Sequence, residues 1–172
     1  MKGSGKSLLV LGGARSGKSR HAQDTAEAVG GDLVFIATGQ AFDAEMTDRI
    51  ARHQADRDAR WRTVEAPVDL AGAIVANDAT SAVLLVDCLT LWASNLLLAE
   101  EDAGVRTDAL LAAIDTAQAR VILVSNEVGL GIVPDNALAR RFRDLAGTVN
   151  RRVAAICDEV VLVVAGLPLR IK

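Results

Sequence analysis

Tyrosine is absent from this chain, and only three phenylalanines and two tryptophans stand among its 172 residues. The core must therefore be filled by Ala, Val and Leu, the material of helices packed on a buried parallel sheet. Basic charge is in short supply as well. Lys and Arg number 19 against 22 Asp and Glu, a net charge of −3, which argues against a nucleic-acid partner because such proteins present a basic surface. The two cysteines, Cys88 and Cys157, have no ligand-like spacing with the two histidines, His21 and His53. Neither a disulfide framework nor a zinc site is expected, and both thiols are assigned to the interior. No apolar run reaches the ~18 residues that would span a bilayer, and the start Met1-Lys2-Gly3-Ser4-Gly5 lacks the apolar core of a secretion signal. A cytoplasmic protein is the expectation.

What the sequence does contain is alternation. Short β-rich runs are predicted at Ser7 to Leu11, Leu33 to Ala37, Trp61 to Glu65, Ala82 to Asp87, Val121 to Ser125 and Val160 to Val164. Between them lie helical patterns at Lys18 to Val29, Asp43 to Arg60, Val68 to Ala76, Leu89 to Ala99, Thr107 to Ala119 and Asn136 to Ile156. Strand and helix in turn predict an α/β fold, a mostly parallel sheet with helices on both faces. Most of the strands are continuous apolar runs, as strands buried on both faces should be, whereas Trp61 to Glu65 alternates and is placed nearer an edge. Gly166 and Pro168 punctuate a turn into a short last strand, expected to pair antiparallel at an edge. The segment Glu100 to Arg106 is expected to be a loop. A length of 172 residues fits one domain, with 1–7 as a flexible N-terminal tail and 8–172 as the folded unit.

The first strand runs directly into Gly12-Gly13-Ala14-Arg15-Ser16-Gly17-Lys18-Ser19, a full match to the phosphate-binding pattern G-x-x-x-x-G-K-[ST]. A good helix follows, so backbone N–H groups and a helix N-terminus converge on anionic oxygens. Gly12 and Gly17 allow the tight turn, Lys18 reaches the outer phosphates, and the Ser19 hydroxyl is placed to ligate Mg²⁺. The earlier Gly3-Ser4-Gly5-Lys6-Ser7 repeats only the ending and has no strand before it. A phosphate loop also needs an acid to hold the cation through its water shell, commonly at the end of a neighbouring apolar strand, and Asp87 supplies it. Asp87 could instead cap the helix that follows.

The predicted helix Asp43 to Arg60 carries His53 beside an apolar stripe of Met46 and Ile50. On spacing alone such a histidine is as well explained by packing as by chemistry. Arg49, Arg52, Arg57 and Arg60 surround it, however, and a guanidinium cluster suits phosphate while holding a nearby imidazole in its neutral, nucleophilic form. Some of these arginines are expected to pair with Glu45, Asp48, Asp56 and Asp58. His21, two residues past Ser19, is placed on the helix surface or in support behind the site.

Several further segments, taken in order, resemble one family. They are the phosphate loop through Arg20, Ile36-Ala37-Thr38, Glu45-Met46 with Arg49-Ile50 and His53, and Trp61-Arg62-Thr63-Val64-Glu65. Asn126-Glu127-Val128-Gly129-Leu130-Gly131-Ile132-Val133-Pro134 and Arg143-Asp144-Leu145-Ala146-Gly147-Thr148-Val149-Asn150 complete the set. Together they resemble the bifunctional adenosylcobinamide kinase/adenosylcobinamide-phosphate guanylyltransferases of cobalamin biosynthesis, over nearly the whole chain after residue 7. The resemblance implies phosphorylation of the adenosylcobinamide hydroxyl, then guanylyl transfer from GTP through a GMP-histidine intermediate at His53, with GTP and ATP as substrates and Mg²⁺ as cofactor. It further implies nucleotide contacts from Arg20, Ala37, Thr38, Gly39, Gln54, Arg57, Glu65 and Asp87 besides the phosphate loop, a RecA-like P-loop sheet, and a homo-oligomer, a trimer first.

Two other readings stay open on the residues themselves. The loop would equally serve a kinase of another small molecule, since fold does not fix function. A non-catalytic GTP-binding module is the second, although no Asn-Lys-x-Asp guanine motif occurs. The Asn126 to Pro134 segment suits either the close approach of a corrinoid or a neighbouring subunit, or a plain strand-to-helix turn.

Overall fold

The computed structural model describes residues 5–40 and 57–172. In chain order the elements are β1 (Ser7–Gly12), α1 (Lys18–Val29), β2 (Asp32–Ala37), β3 (Trp61–Glu65), α2 (Leu70–Ala76), β4 (Ala82–Asp87), α3 (Leu89–Leu98), α4 (Ala103–Thr116), β5 (Arg120–Asn126), α5 (Ala137–Ile156), β6 (Glu159–Val164) and β7 (Leu167–Arg170). The strands form one seven-stranded sheet in the order β3-β2-β4-β5-β1-β6-β7. Every pair is parallel except β6–β7. The edge position of β3 and the antiparallel last strand are as the sequence predicts, because an alternating strand and a turn-linked strand both suit a sheet margin.

The sheet divides the core in two. On one face Leu8, Val10, Leu33, Phe35, Val83, Leu85, Ile122 and Val124 pack under Ala22 and Ala26 of α1. On the other, Leu9, Val34, Ile36, Leu84, Val86, Val121 and Leu123 pack against residues of α2 to α5, with Trp92 fully buried among them. Alternate residues of each central strand thus feed opposite cores, which explains why those strands read as unbroken apolar runs. The indole of Trp92 donates to the Val68 carbonyl at 2.8 Å, so its one polar atom is satisfied.

Several boundaries differ from the sequence expectation, three of them for a clear local reason. The loop expected at Glu100 to Arg106 is half helix: the Asp102 carboxylate accepts from the backbone N–H of Gly104 and Val105 and starts α4 at Ala103, four residues before the predicted Thr107. The helix expected from Val68 starts at Leu70, capped by Asp69 onto the Gly72 N–H at 3.2 Å. The helix predicted over Asp43 to Arg60 does not extend through 58–60, where Asp58 accepts from the Arg60 N–H at 2.9 Å and its carbonyl accepts from Trp61 at 3.2 Å, closing a turn into β3. The rest of that helix lies outside the described residues. Of the tail expected over 1–7, residues 1–4 lie outside the described residues, and Lys6 and Ser7 join the fold. Ser7 is buried in β1 and exchanges hydrogen bonds with Asp158, while the Lys6 carbonyl accepts from Val121 at 2.9 Å.

Candidate functional site: a phosphate loop and a row of strand ends

Gly12 ends β1 on the α1 face of the sheet. A Cβ there would collide with Ser16 Oγ and stand 2.8 Å from the Val163 carbonyl of β6, so only glycine lets the loop fold back over the strand. Gly17 then takes φ 93°, the left-handed region that favours glycine, and opens α1. No side chain caps that helix, and no acid stands in its first turn. Its first N–H groups are therefore left for an anion. Lys18 is buried at 7% exposure, with Nζ donating to the Gly13 carbonyl at 3.1 Å across the loop. The β6–β7 turn braces the loop from outside, where the Gly166 N–H donates to the Ser16 carbonyl at 2.9 Å. From inside, the Glu127 N–H donates to the Gly12 carbonyl at 3.1 Å. Ala14 and Arg15 are exposed at the loop's outer turn, and Ser19 is half-buried behind Lys18.

Strand register lines up the remaining acids along the same end of the sheet as this loop. Glu65, Ala37 and Asp87 stand opposite one another at the C-terminal ends of β3, β2 and β4. Asp87 is two residues past Leu85, which packs on the α1 face, so it projects to the side on which the phosphate loop lies. Asn126 ends β5 directly opposite Gly12 and, two residues past Val124, shares that face. These strand ends form the side of the sheet at which open α/β folds bind ligands. Asp87 does not cap the following helix; the capping position is Cys88, whose Sγ accepts from the Leu91 N–H at 3.5 Å. Glu65 sits at the exposed edge of the row.

Thr38 is fully buried, with its hydroxyl donating to the Cys88 carbonyl at 2.7 Å and accepting from the Cys88 N–H at 2.8 Å. Asn95 Nδ2 donates to the Thr38 carbonyl at 2.7 Å and to that of Pro67 at 2.8 Å. Thr38 therefore acts here by fixing the Asp87–Cys88 segment against β2, its hydroxyl already committed. Gly39 follows, half-buried. A second buried network supports β5: Thr90 Oγ1 lies 3.2 Å from Ser125 Oγ, Ser125 donates to Asn150 Oδ1 at 2.6 Å, Thr90 Oγ1 accepts from the Asn126 N–H at 2.7 Å, and Asn150 Nδ2 donates to the Asn126 carbonyl at 3.1 Å. Sequence reading gave no role to Thr90 or Ser125 and quoted Asn150 only within a family segment; their polarity makes sense once α3, α5 and β5 are neighbours. Asn126 it passed over as a site residue, although a polar residue closing an apolar strand was the same signal that identified Asp87.

The other predicted residues are spread more widely. The Arg57 guanidinium lies 3.6 Å over the Phe35 ring, on the α1 face of β2. Arg60 pairs with Asp58 at 2.6 Å and Glu27 at 3.2 Å, so it is one of the arginines taken up by a surface acid. Arg20 pairs with Asp24 at 2.9 Å on the exposed side of α1, an arrangement that contributes little to stability. His21 is half-buried one turn into α1. His53, Gln54, Arg49 and Arg52 lie outside the described residues. Both cysteines are buried and free, and burial pushes each thiol up to about 11, which leaves them protonated and unreactive at neutral pH. Among the described residues no group of three His, Cys, Asp or Glu could cage a metal. The Ser19 hydroxyl and the Asp87 carboxylate are hard oxygen donors on the phosphate side of the sheet, and this sparse set fits Mg²⁺ held jointly with a nucleotide's phosphates.

The family model for cobinamide kinase / cobinamide phosphate guanyltransferase matches residues 8–171. The chain is 48% identical over 166 residues to the bifunctional adenosylcobalamin biosynthesis protein CobP of Pseudomonas aeruginosa, covering 95% of this chain and 96% of that one. It is 45% identical over 183 residues to the bifunctional adenosylcobalamin biosynthesis protein CobU of Salmonella typhimurium, covering 96% and 99%. Among solved structures, the flagellar accessory protein FlaH of Methanocaldococcus jannaschii superposes with a TM-score of 0.57 at 13% identity, over 96% of this chain and 77% of FlaH. The type III secretion ATPase EscN of enteropathogenic E. coli superposes at 0.62 and 13%, over 94% and 43%. These structural likenesses concern the fold alone.

Proposed function

We propose, from the premise that this chain belongs to the cobinamide kinase / cobinamide phosphate guanyltransferase family, that it carries out both reactions at the phosphate loop and the strand ends in line with it. The first is phosphorylation of the adenosylcobinamide hydroxyl by ATP or GTP. Its oxygen attacks the terminal phosphorus, the nucleoside diphosphate leaves, and the hydroxyl proton passes to solvent or a base. Lys18 and the N–H groups of the loop hold the departing charge, and Mg²⁺ at Ser19 and Asp87 would supply further charge neutralisation. The second is guanylyl transfer. A neutral His53 imidazole nitrogen attacks the α-phosphorus of GTP, forming an N–P bond as pyrophosphate leaves, and the cobinamide phosphate oxygen then takes the GMP to give adenosylcobinamide-GDP and free the imidazole.

The observation that carries this reading is the convergence of the loop, the buried Lys18 and the strand-end Asp87 on one face of the sheet. Arg57, over Phe35 on that same face, supports nucleotide binding there. The exposed apolar side chains of Leu130, Ile132 and Leu138, together with Leu167 and Leu169, favour a homo-oligomer, for which a trimer is the form proposed. Among the described residues no helix is long and apolar enough to cross a membrane, and a cytoplasmic enzyme is proposed with it.

The test is incubation with GTP labelled at the α-phosphate, followed by denaturation. Wild type should retain an acid-labile label, His53→Ala should lose label and guanylyl transfer while keeping kinase turnover, and Lys18→Ala should lose both activities. Full labelling of His53→Ala would move the nucleophile elsewhere. Guanylyl transfer surviving in Lys18→Ala would require a second nucleotide site.

A further inference from the structure

The end of the sheet opposite the phosphate loop holds a cavity of about 730 Å³. It lies where β1, β4 and β5 begin, beneath the last turn of α1, and its walls include Lys6, Thr25, Gly30, Ser81, Gln118 and Arg120. Two cations share it. Ser7 pairs in register with Val121, so Lys6 and Arg120 stand side by side at the starts of adjacent parallel strands, where like charges repel. The Arg120 side chain is 10% exposed, and its Nη2 donates to Glu159 Oε1 at 2.9 Å. Its Nε and Nη1 are buried without a hydrogen-bond partner among the described residues. The other acids near the cavity direct their hydrogen bonds elsewhere. Asp158 feels the Arg120 charge but accepts from the Ser7 N–H and hydroxyl, Asp78 accepts from the N–H groups of Gln118 and Ala119, and Asp32 accepts from the Ser81 hydroxyl. A buried guanidinium with unfilled donors is destabilising, and a fold seldom keeps one without an acceptor to complete it. Across the cavity α1 ends at Gly30, whose N–H returns to the Ala26 carbonyl, and with no basic side chain in that last turn the remaining helix-end carbonyls stay open to other donors.

We propose that this cavity binds a small hydroxylated metabolite carrying an oxyanion, a phosphate or a carboxylate, held by Lys6 and Arg120. The guanidinium turns about its last torsions to present Nη1 to the oxyanion while Nη2 keeps Glu159, and a planar fork of N–H donors matches that geometry. Gln118 adds a neutral donor, since its Oε1 already accepts from Thr80 at 3.2 Å and its Nε2 remains for the ligand. The ligand's hydroxyl groups donate to the open carbonyls at the end of α1. The partial negative charge of that helix end turns the oxyanion away from it and toward the strands, so the cavity fixes the ligand's direction. Its volume is that of a site for a small organic molecule rather than for a bare ion. The cavity and the phosphate loop stand at opposite ends of β1 and α1. A ligand here therefore binds together with a nucleotide, not in its place.

The experiment follows the backbone amide resonances of the isotope-labelled full chain during titration with inorganic phosphate, and separately with malonate, at constant ionic strength. Saturating α,β-methylene GTP keeps the probes out of the phosphate loop. Saturable shifts are expected at Gly30, Gly31, Ser81 and Gln118, with Gly12 to Ser19 unmoved. A response to phosphate alone identifies the ligand as a phosphate ester, and a response to malonate alone identifies it as a carboxylate. Arg120→Gln, which removes the charge, should weaken binding at least about tenfold. Lys6→Met, at an exposed position, should weaken it about two- to fivefold and leave α,β-methylene GTP affinity unchanged. If the Arg120 variant does not fold, Lys6→Met and Gln118→Leu decide. Shifts that rise linearly with every salt, chloride included, or saturable shifts that persist at wild-type strength in the variants, would overturn the proposal and leave Arg120 as a structural partner of Glu159 alone.

Discussion

Asn150 should be the most sensitive polar position outside the nucleotide site. It is 6% exposed on α5, accepts from the Ser125 hydroxyl at 2.6 Å and donates to the Asn126 carbonyl at 3.1 Å. In Asn150→Ala the Ser125 hydroxyl keeps a neighbour in Thr90 at 3.2 Å, so that side loses one net hydrogen bond, about 1 kcal/mol. The Asn126 carbonyl loses its side-chain donor and incurs most of a desolvation penalty, about 1–3 kcal/mol. The expected loss is about 2–4 kcal/mol, a large share of the ~5–15 kcal/mol that stabilises a domain of this kind. In urea the unfolding midpoint should fall by roughly 1–2 M with an unchanged slope. Paired with Ser125→Ala in a double-mutant cycle, Asn150→Ala should show a coupling of at least about 0.5 kcal/mol. A loss below about 0.5 kcal/mol, or strict additivity with Ser125→Ala, would refute the claim that this network is satisfied and cooperative.

Gly12→Ala should leave the sheet folded but displace the loop, because the added methyl meets Ser16 Oγ and lies 2.8 Å from the Val163 carbonyl. A cost of about 1–3 kcal/mol in thermal unfolding with near-complete loss of nucleotide binding is expected, and binding at wild-type strength would show that the loop tolerates the contact. Asp158 supplies a pH-dependent link between the first and sixth strands. Hydrogen bonds from Ser7, the backbone N–H foremost, hold its carboxyl below the usual carboxylate range. A depressed folded-state value means that its contribution is present above the unfolded value of ~3.9 and is lost as pH falls through the folded value. Wild type should therefore exceed Asp158→Ala in stability at pH 7, with the gap narrowing below pH ~4. A gap that stays constant from pH 7 to pH 3 in urea titrations would rule out the carboxylate as its source.

The phosphate loop was legible in the sequence because its signature is local: strand, glycine turn, lysine and helix are contiguous, although the end of β5 and the β6–β7 turn brace it. Asp87 was legible for a related reason, since a charge closing an apolar strand has only the sheet's end to occupy. The alternation of elements determined the parallel sheet, and the chain's own turn residues determined β7. The misplaced starts of α2 and α4 turned on Asp69 and Asp102, whose carboxylates could have been read as caps or as loop residues until the helix beneath them was seen.

Only the tertiary structure decided which strand lies beside which, and with it the composition of the site. The order β2-β4-β5-β1 brings Asp87, Asn126 and Gly12 side by side although they are separated by long stretches of chain, and no spacing in the sequence encodes that adjacency. The same packing commits the Thr38 hydroxyl to the Cys88 backbone and buries Asn150 against Ser125. Hydrophobic periodicity specifies which face of an element is inward, because burial is non-directional and scales with apolar area. A hydrogen bond requires a particular partner at a particular angle, so the roles of Thr38, Asn126 and Asn150 exist only once the apolar layers have set the elements in place.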